Sequence, residues 1–311
     1  MSDYHHIPVL LNEVLEYLDP KQNENFIDAT LGGGGYSRAI LSKIAKGKLL
    51  SVDLDKDAIE NSNKQIEKLG NWEIAQGNFS HIDKIVKNHN FPAPDGIVAD
   101  LGLSSYELDQ AGRGISFKNK EPLDMRFDQH GDTVDAKFIL NNYEERQILQ
   151  IFEDYGEEKF SRQIVRKLLE ARGKSQVHYT TELMEIIESA LPKPIKHKAE
   201  DSARRIFQAL RIEVNHELSN LQEFLPKAFD LLKPGGRLVV VSFHSLEDRI
   251  VKQFFVSLTK GCVCPPDFPQ CLCGKLPEGK ILTKKLVTAT EQELEQNSRS
   301  KPAKLRAVLK L

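Results

Sequence analysis

Residues 26–36 read FIDATLGGGGY. A short apolar run ends in an acid, Asp28, then passes through Thr30 into four consecutive glycines, Gly32 to Gly35, and on to the helical run SRAILSKIAK. Glycine permits positive φ and leaves main-chain N–H groups bare to a close ligand. A strand that runs through such a turn into a helix N-terminus is a cofactor cradle in an open α/β sheet. Asp53 closes the next apolar run, KLLSVDLD. It follows roughly 20 residues on, the spacing of a ribose-hydroxyl acceptor.

The cofactor class is narrowed by elimination. A dinucleotide fingerprint, G-x-G-x-x-G, would end on Ser37 when counted from Gly32 and on Arg38 when counted from Gly33. Neither is glycine, so a dehydrogenase reading fails. The G-K-[ST] of a phosphate-binding loop is absent as well. S-adenosyl-L-methionine carries ribose and adenine but no phosphate, and it fits the turn best.

A chain of 311 residues has room for two domains, or for one domain with a large insertion. At 40% hydrophobic and 28% charged, it has the composition of ordinary soluble globular protein. No apolar run approaches a membrane span, and the acids inside the N-terminal apolar run exclude a secretory signal. A cytoplasmic protein without membrane association is expected. The net charge of −2 gives no global sign of a nucleic-acid partner. Locally, however, residues 159–174 carry a net +5, residues 193–211 a net +4, and residues 299–311 five bases with no acid. Such stretches could grip phosphates.

Along the chain, strand and helix patterns alternate. Strands are expected at 26–28, 49–54, 72–75 and within DGIVADLG (95–102), and helices between them imply right-handed crossovers and a parallel sheet. From about Arg113 the rhythm turns helical. Phe138, Ile148, Leu149, Ile151 and Phe152, then Ile164, Val165, Leu168 and Leu169, then Leu183, Ile186 and Ile187, recur at helical spacing. One long amphipathic helix is expected from about Arg204 to Leu232, before Lys233-Pro-Gly-Gly and the strand RLVVVSFHS. The run KILTKKLVT and the terminal KLRAVLKL read as strands. The expected domains are a discontinuous α/β domain, residues 1–112 and 213–311, interrupted by a helical insertion at 113–212.

In a parallel sheet all C-terminal strand ends share one edge. Asp28, Asp53 and Asp100 therefore converge there, and Phe79, after the Trp72 strand, falls on the same edge, where it could cover an adenine. Glycine loop, ribose acid, adenine contact and a fourth-strand acid, in that order, are typical of class I methyltransferases, and LLKPGGRLVVV resembles them too.

More specific are HIPVLLNEVL (6–15), DATLGGGG, DLGLSS (100–105), GRGISF (112–117), PLDMR (122–126), YGEE.F (155–160), FQALRIEVN (207–215) and SFHSLEDRIVK (242–252). Together they resemble the RsmH/MraW family of bacterial 16S rRNA cytosine-N4 methyltransferases, in order and over essentially the whole chain. The resemblance implies a class I (Rossmann-like) S-adenosylmethionine-dependent methyltransferase fold with a helical insertion that recognises RNA. It implies methylation of a cytidine N4 amine in the decoding centre, the P-site region, of 16S rRNA within the small ribosomal subunit. The cofactor contacts it implies fall on Gly34, Gly35, Tyr36, Asp53, Phe79, Asp100 and Glu107, with Gly32 added from the turn. Tyr36 and Glu107 depart from the family pattern, which generally has His and Gln there.

A cytosine N4 lone pair is delocalised into the ring and makes a poor nucleophile. Enzymes that attack such amines often use an Asp/Asn-Pro-Pro-aromatic loop; here the loop is Asp100-Leu-Gly-Leu-Ser-Ser, without prolines or aromatic. Amine polarisation is assigned to Asp100, with His244 as a second catalytic candidate and with Ser242 and Arg249 toward the substrate. No metal is assigned to the site. Cys262, Cys264, Cys271 and Cys273 fall in one Pro-rich loop, spaced C-x-C-x6-C-x-C; reduced thiols are the default reading and a four-thiolate zinc site the alternative.

Overall fold

In the computed structural model, residues 8–66, 71–102, 112–129, 133–261 and 273–311 are described. Glu107, Cys262, Cys264 and Cys271 lie outside them; Cys273 is exposed. Contacts divide the chain into two units, residues 1–104 with 218–311, and residues 105–217. The sequence reading placed these changes at 112/113 and 212/213.

The first unit is built on a seven-stranded sheet. Its strands are β1 (Phe26–Asp28), β2 (Leu49–Asp53), β3 (Trp72–Gln76), β4 (Gly96–Asp100), β5 (Arg237–Ser242), β6 (Gly279–Ile281) and β7 (Lys304–Lys310). They lie in the order β3-β2-β1-β4-β5-β7-β6. The first five run parallel, and β7 is antiparallel to both its neighbours. The chain lays β2 and β3 on one side of β1, then returns to place β4 and β5 on the other. The order thus reverses between β1 and β4, where a parallel sheet opens a crevice at its C-terminal edge.

Strand residues alternate between two apolar cores, as a pleat of period two requires. Ile27, Leu50, Val52, Ile97, Ala99, Leu238 and Val240 face one core. There they meet Leu221, Phe224 and Leu225, and also Val251 and Phe255. Phe26, Leu49, Val98, Val239 and Val241 face the other, with Val14 and Leu18 of α1 (Leu11–Leu18) and Ile40 of α2 (Gly35–Leu41). Burial on both faces explains why these strands read as unbroken apolar runs. Between the strands lie α3 (Lys56–Ile66) and α4 (Ile82–Asn88).

The second unit has its own core around Leu123, Met125, Ile139, Phe152, Ile164, Leu168, Leu183, Ile206 and Leu210. Its helices are α5 (Ala136–Asn142), α6 (Glu145–Asp154), α7 (Ser161–Arg172), α8 (Thr180–Ala190) and α9 (Ala199–Asn215), with a 3-10 segment at Lys193–Lys198. Phe138, counted with the inward set from its spacing, is 46% exposed, whereas Ile139 and Leu140 point inward.

The single helix expected over 204–232 is two, α9 and α10 (Glu217–Leu231). His216 has a φ of 53° and ends α9 in the left-handed conformation. The Asn215 amide beside it donates to the carbonyls of Met125 and Arg211 and accepts from the N–H of Phe127. Apolar periodicity continues across this break because both helices bury a face, so spacing alone does not reveal it. The run 280–288 is shorter in β structure than expected: β6 ends at Ile281, and Val287 makes only an isolated bridge to Leu305. The remaining helices are α11 (Ser245–Thr259) and α12 (Glu291–Gln296).

Candidate active site

The glycine turn is fixed from below by β2. Leu31 donates to the Val52 carbonyl at 2.8 Å, Gly32 N–H to Asp53 Oδ2 at 2.7 Å, and Gly34 N–H closes the turn on the Leu31 carbonyl. Gly34 has a φ of 72°, which glycine adopts without strain. Gly35 has a different reason to be glycine: a Cβ there would stand 2.1 Å from Pro8 Cγ. The segment Pro8–Leu10 lies over this helix start. Its Val9 carbonyl accepts from the Tyr36 hydroxyl, and Leu10 N–H donates to Glu293 Oε1 at 2.7 Å. Pro8 and Val9 gained no role from spacing alone.

Beneath the turn runs a chain of hydrogen bonds. Trp72 Nε1–H donates to Ser51 Oγ (2.8 Å), the Ser51 and Ser37 hydroxyls are 2.7 Å apart, and Ser37 donates to Asp28 Oδ2 (2.5 Å). Asp28 Oδ1 accepts from Thr30 N–H, and the Thr30 hydroxyl oxygen accepts from Asp100 N–H at 2.7 Å. One network thus ties β3, β2, α2, β1 and β4 together under the crevice. Ser37, Ser51 and Trp72 were not foreseen. A serine in the otherwise apolar LLSVD was the available clue, since a buried hydroxyl needs a partner.

Asp28 is fully buried, and Asp53 and Asp100 are partly exposed at the edge. Burial pushes the Asp28 carboxyl up to about 7, helped by the charges of Asp100 and Asp53. It raises Asp53 to about 6 and Asp100 to about 7, the latter also through the charge of Glu247. Among the described residues no cation pairs with any of the three. Asp53 accepts from Gly32 and Asp55 N–H groups, one on each oxygen, and each oxygen keeps a second lone pair for a hydroxyl. Tyr36 is buried, and its phenol is pushed far up, first by burial and then by the Asp100 and Asp28 charges. Its single proton faces two acceptors, the Val9 carbonyl and the Asp100 carboxylate.

Phe79 opens a 3-10 turn capped by Asn78 and stacks edge-on against Phe224, with centroids 5.1 Å apart, leaving the ring partly exposed. Ser242 ends β5 but is buried and gives its proton to the Lys304 carbonyl at 3.3 Å. His244 is a buried ring whose Nε2 lies 3.1 Å from Glu247 Oε1, close enough for an ion pair but too bent for a hydrogen bond. Glu247 accepts from the N–H groups of Phe243 and His244, and Asp248 pairs with Arg306 at 2.6 Å, so both acids hold α11 in place. Arg249 lies on the exposed side of α11. Phe243 packs on Gly102, where a Cβ would meet the ring at 2.5 Å.

The structure therefore gathers Gly32, Gly34, Asp28, Asp53 and Asp100 at one edge, with Tyr36 against Asp100. It turns Ser242 toward β7 and His244 toward Glu247. The strand order, the reversal between β1 and β4 and the glycine turn at that crevice define the class I, Rossmann-like fold of S-adenosylmethionine-dependent methyltransferases. Residues 3–311 match the model of the MraW methylase family. The chain is 45% identical over 312 residues to the ribosomal RNA small subunit methyltransferase H of Heliobacterium mobile, covering 99% of this chain and all of that protein. It is 44% identical over 310 residues to the protein of the same name from Carboxydothermus hydrogenoformans, covering 99% of each. The chain belongs to the MraW methylase family.

Proposed function

We propose that this protein methylates the exocyclic N4 amine of a cytidine in the decoding centre of 16S rRNA, with S-adenosyl-L-methionine as donor. The observation that carries the reading is the edge where three carboxylates, unpaired with any cation among the described residues, meet beside a glycine turn. Such a cluster suits a ligand that brings its own positive charge. The full-length likeness to small-subunit rRNA methyltransferases supplies the substrate class.

The donor supplies a methyl group on a sulfonium, open to in-line displacement. Gly32 and Gly34 would let the turn approach it, Asp53 would accept from the ribose hydroxyls, and the exposed part of Phe79 would cover the adenine. Gly35 and Tyr36 act through the overlying Pro8–Val9 segment, which sets where the turn lies. Glu107, outside the described residues, completes the set the family resemblance implies.

Asp100 meets the target amine. Its carboxylate would accept one N4–H, localising the nitrogen lone pair, and would take up the proton that the amine gives up on methylation. A carboxyl held near 7 by its surroundings suits a base that must load and unload a proton at neutral pH. Phe243 offers a ring to the cytosine face. His244 stands behind, through Glu247, whose charge bears on Asp100.

The test is transfer of tritiated methyl to small subunits from a strain lacking the enzyme, followed by nucleoside analysis. Label in N4-methylated cytidine supports the reading; label in another nucleoside, or none, refutes it.

A further inference from the structure

The arginines of the basic runs that stand out in the sequence are engaged within the second unit, whereas Lys159, Lys174, Lys193, Lys196 and Lys198 of the same runs have no ion pair among the described residues. Arg166 and Lys167 pair with Glu170, Arg162 with Glu153, Arg204 with Glu200 and Asp201, Arg205 with Glu158 and Arg211 with Glu217. Arg172 donates to the carbonyls of Leu140 and Tyr143. Arg162, Arg172 and Arg205 join separate segments in this way, whereas Arg166 and Arg204 pair within their own helices and stay exposed.

Elsewhere on the same unit, lysines lie beside exposed aromatic rings. The strip 118–124 is sewn between two neighbours. Leu123 N–H donates to the His178 carbonyl at 3.0 Å and Thr180 N–H to the Glu121 carbonyl at 2.9 Å, while Pro122 bridges Tyr179. On the other side Lys137 N–H donates to the Leu123 carbonyl at 2.7 Å. These bonds bring Lys118, Lys120, Lys137, Phe138, His178 and Tyr179 onto adjoining segments, all of them exposed. Phe138 and Tyr179 are 46% and 37% exposed, unusual for large rings on a unit with a well-formed core. The Lys120 ammonium rests over the Tyr179 ring, 4.4 Å from its centroid. None of the three lysines has an acidic partner among the described residues.

We infer that this lysine and aromatic surface binds an unpaired stretch of the RNA substrate, with bases stacking on Tyr179 and Phe138 and phosphates held by Lys118, Lys120 and Lys137. Exposed rings select single strands, because bases inside a duplex have no free face. Unpaired ammonium groups beside those rings select a polyanion over an apolar peptide. The Lys120 stem is flexible, so its ammonium can leave the ring for a phosphate as a base arrives. The inference rests on the RNA reading above and gives it a location.

The test compares the intact enzyme with Tyr179→Ala, Tyr179→Phe, Phe138→Ala and the double variant Lys118→Ala/Lys120→Ala. Each is assayed on small subunits lacking the modification, with Arg166→Ala, from a paired run, as control. Tyr179→Ala should raise KM for the RNA about tenfold, with kcat and donor affinity unchanged, and Tyr179→Phe should restore it. The double lysine variant should flatten the dependence of log affinity on log salt by about 0.7 for each charge removed. Unchanged KM in every patch variant, with normal turnover, overturns this inference, leaves the methyl-transfer reading standing and points the patch to a protein partner. Failure of the wild-type enzyme to methylate any ribosomal RNA overturns both.

Discussion

The two units handle charge in opposite ways. The sheet unit gathers three carboxylates at one edge with no cation paired to them among the described residues, and burial holds their protons above the ordinary carboxylate range. The helical unit pairs most of its arginines locally, down to Glu158, a fully buried carboxylate bound by the Arg205 guanidinium at 2.6 Å, and leaves lysines such as Lys118, Lys120 and Lys137 without an acidic partner among the described residues. Unpaired charge is costly in a fold and persists where something from outside completes it. By that measure the first unit awaits a small cationic ligand at a fixed point. On the inference above, the second would meet an extended polyanion across its lysine and aromatic surface.

The largest effect that would break the contrast is expected at Asp100. Asp100→Ala should lower methyl transfer by about 10²- to 10³-fold while thermal unfolding stays near wild type, since Asp100 is partly exposed at the edge and has no ion pair among the described residues. An activity within a factor of two of wild type would take the amine-polarising role away from this residue. In the helical unit the corresponding change acts on stability. Arg205→Ala should destabilise the protein by about 2–4 kcal/mol, seen in chemical denaturation, because Glu158 stays buried without its partner. Gly34→Ala, at a φ of 72°, should cost about 1–2 kcal/mol and weaken donor binding, measured by calorimetry.

The smallest effect is a pH dependence, and it sharpens the contrast most. Asp28 and Asp100 titrate near 7 in the fold against an ordinary 3.8. The folded state therefore holds more protons across that interval, and the stability these groups contribute falls as pH rises through it. A bound cation lowers both values, so donor binding releases protons and should tighten about three- to tenfold between pH 6 and 8. Asp28→Asn should flatten that slope. A slope unaffected by Asp28→Asn and Asp100→Asn would mean the titrating groups lie elsewhere.

Much of the sheet unit was legible in the sequence because its signals are local. Four glycines in a row, an acid at each of three strand ends and doubly buried strands can all be read one segment at a time. Features that depend on distant partners were not legible. Pro8 as the reason for Gly35, Phe243 packed on Gly102, and Ser242 turned toward Lys304 join residues far apart in the chain. In the helical unit, charge counting singled out 159–174 and 193–211. It could not see that most of those guanidinia face an acid one helical turn or one helix away. The break at His216 escaped because one residue of left-handed backbone leaves no mark on periodicity.

Trp72 is the chain's one tryptophan, and two hydroxyls join its indole N–H to the carboxylate of Asp28. Indole emission is sensitive to the hydrogen bond at that nitrogen, so the unlabelled protein carries its own fluorescent reporter beneath the glycine turn. Ultraviolet excitation would follow the occupancy of the site, and the proton on Asp28, in real time and without any dye.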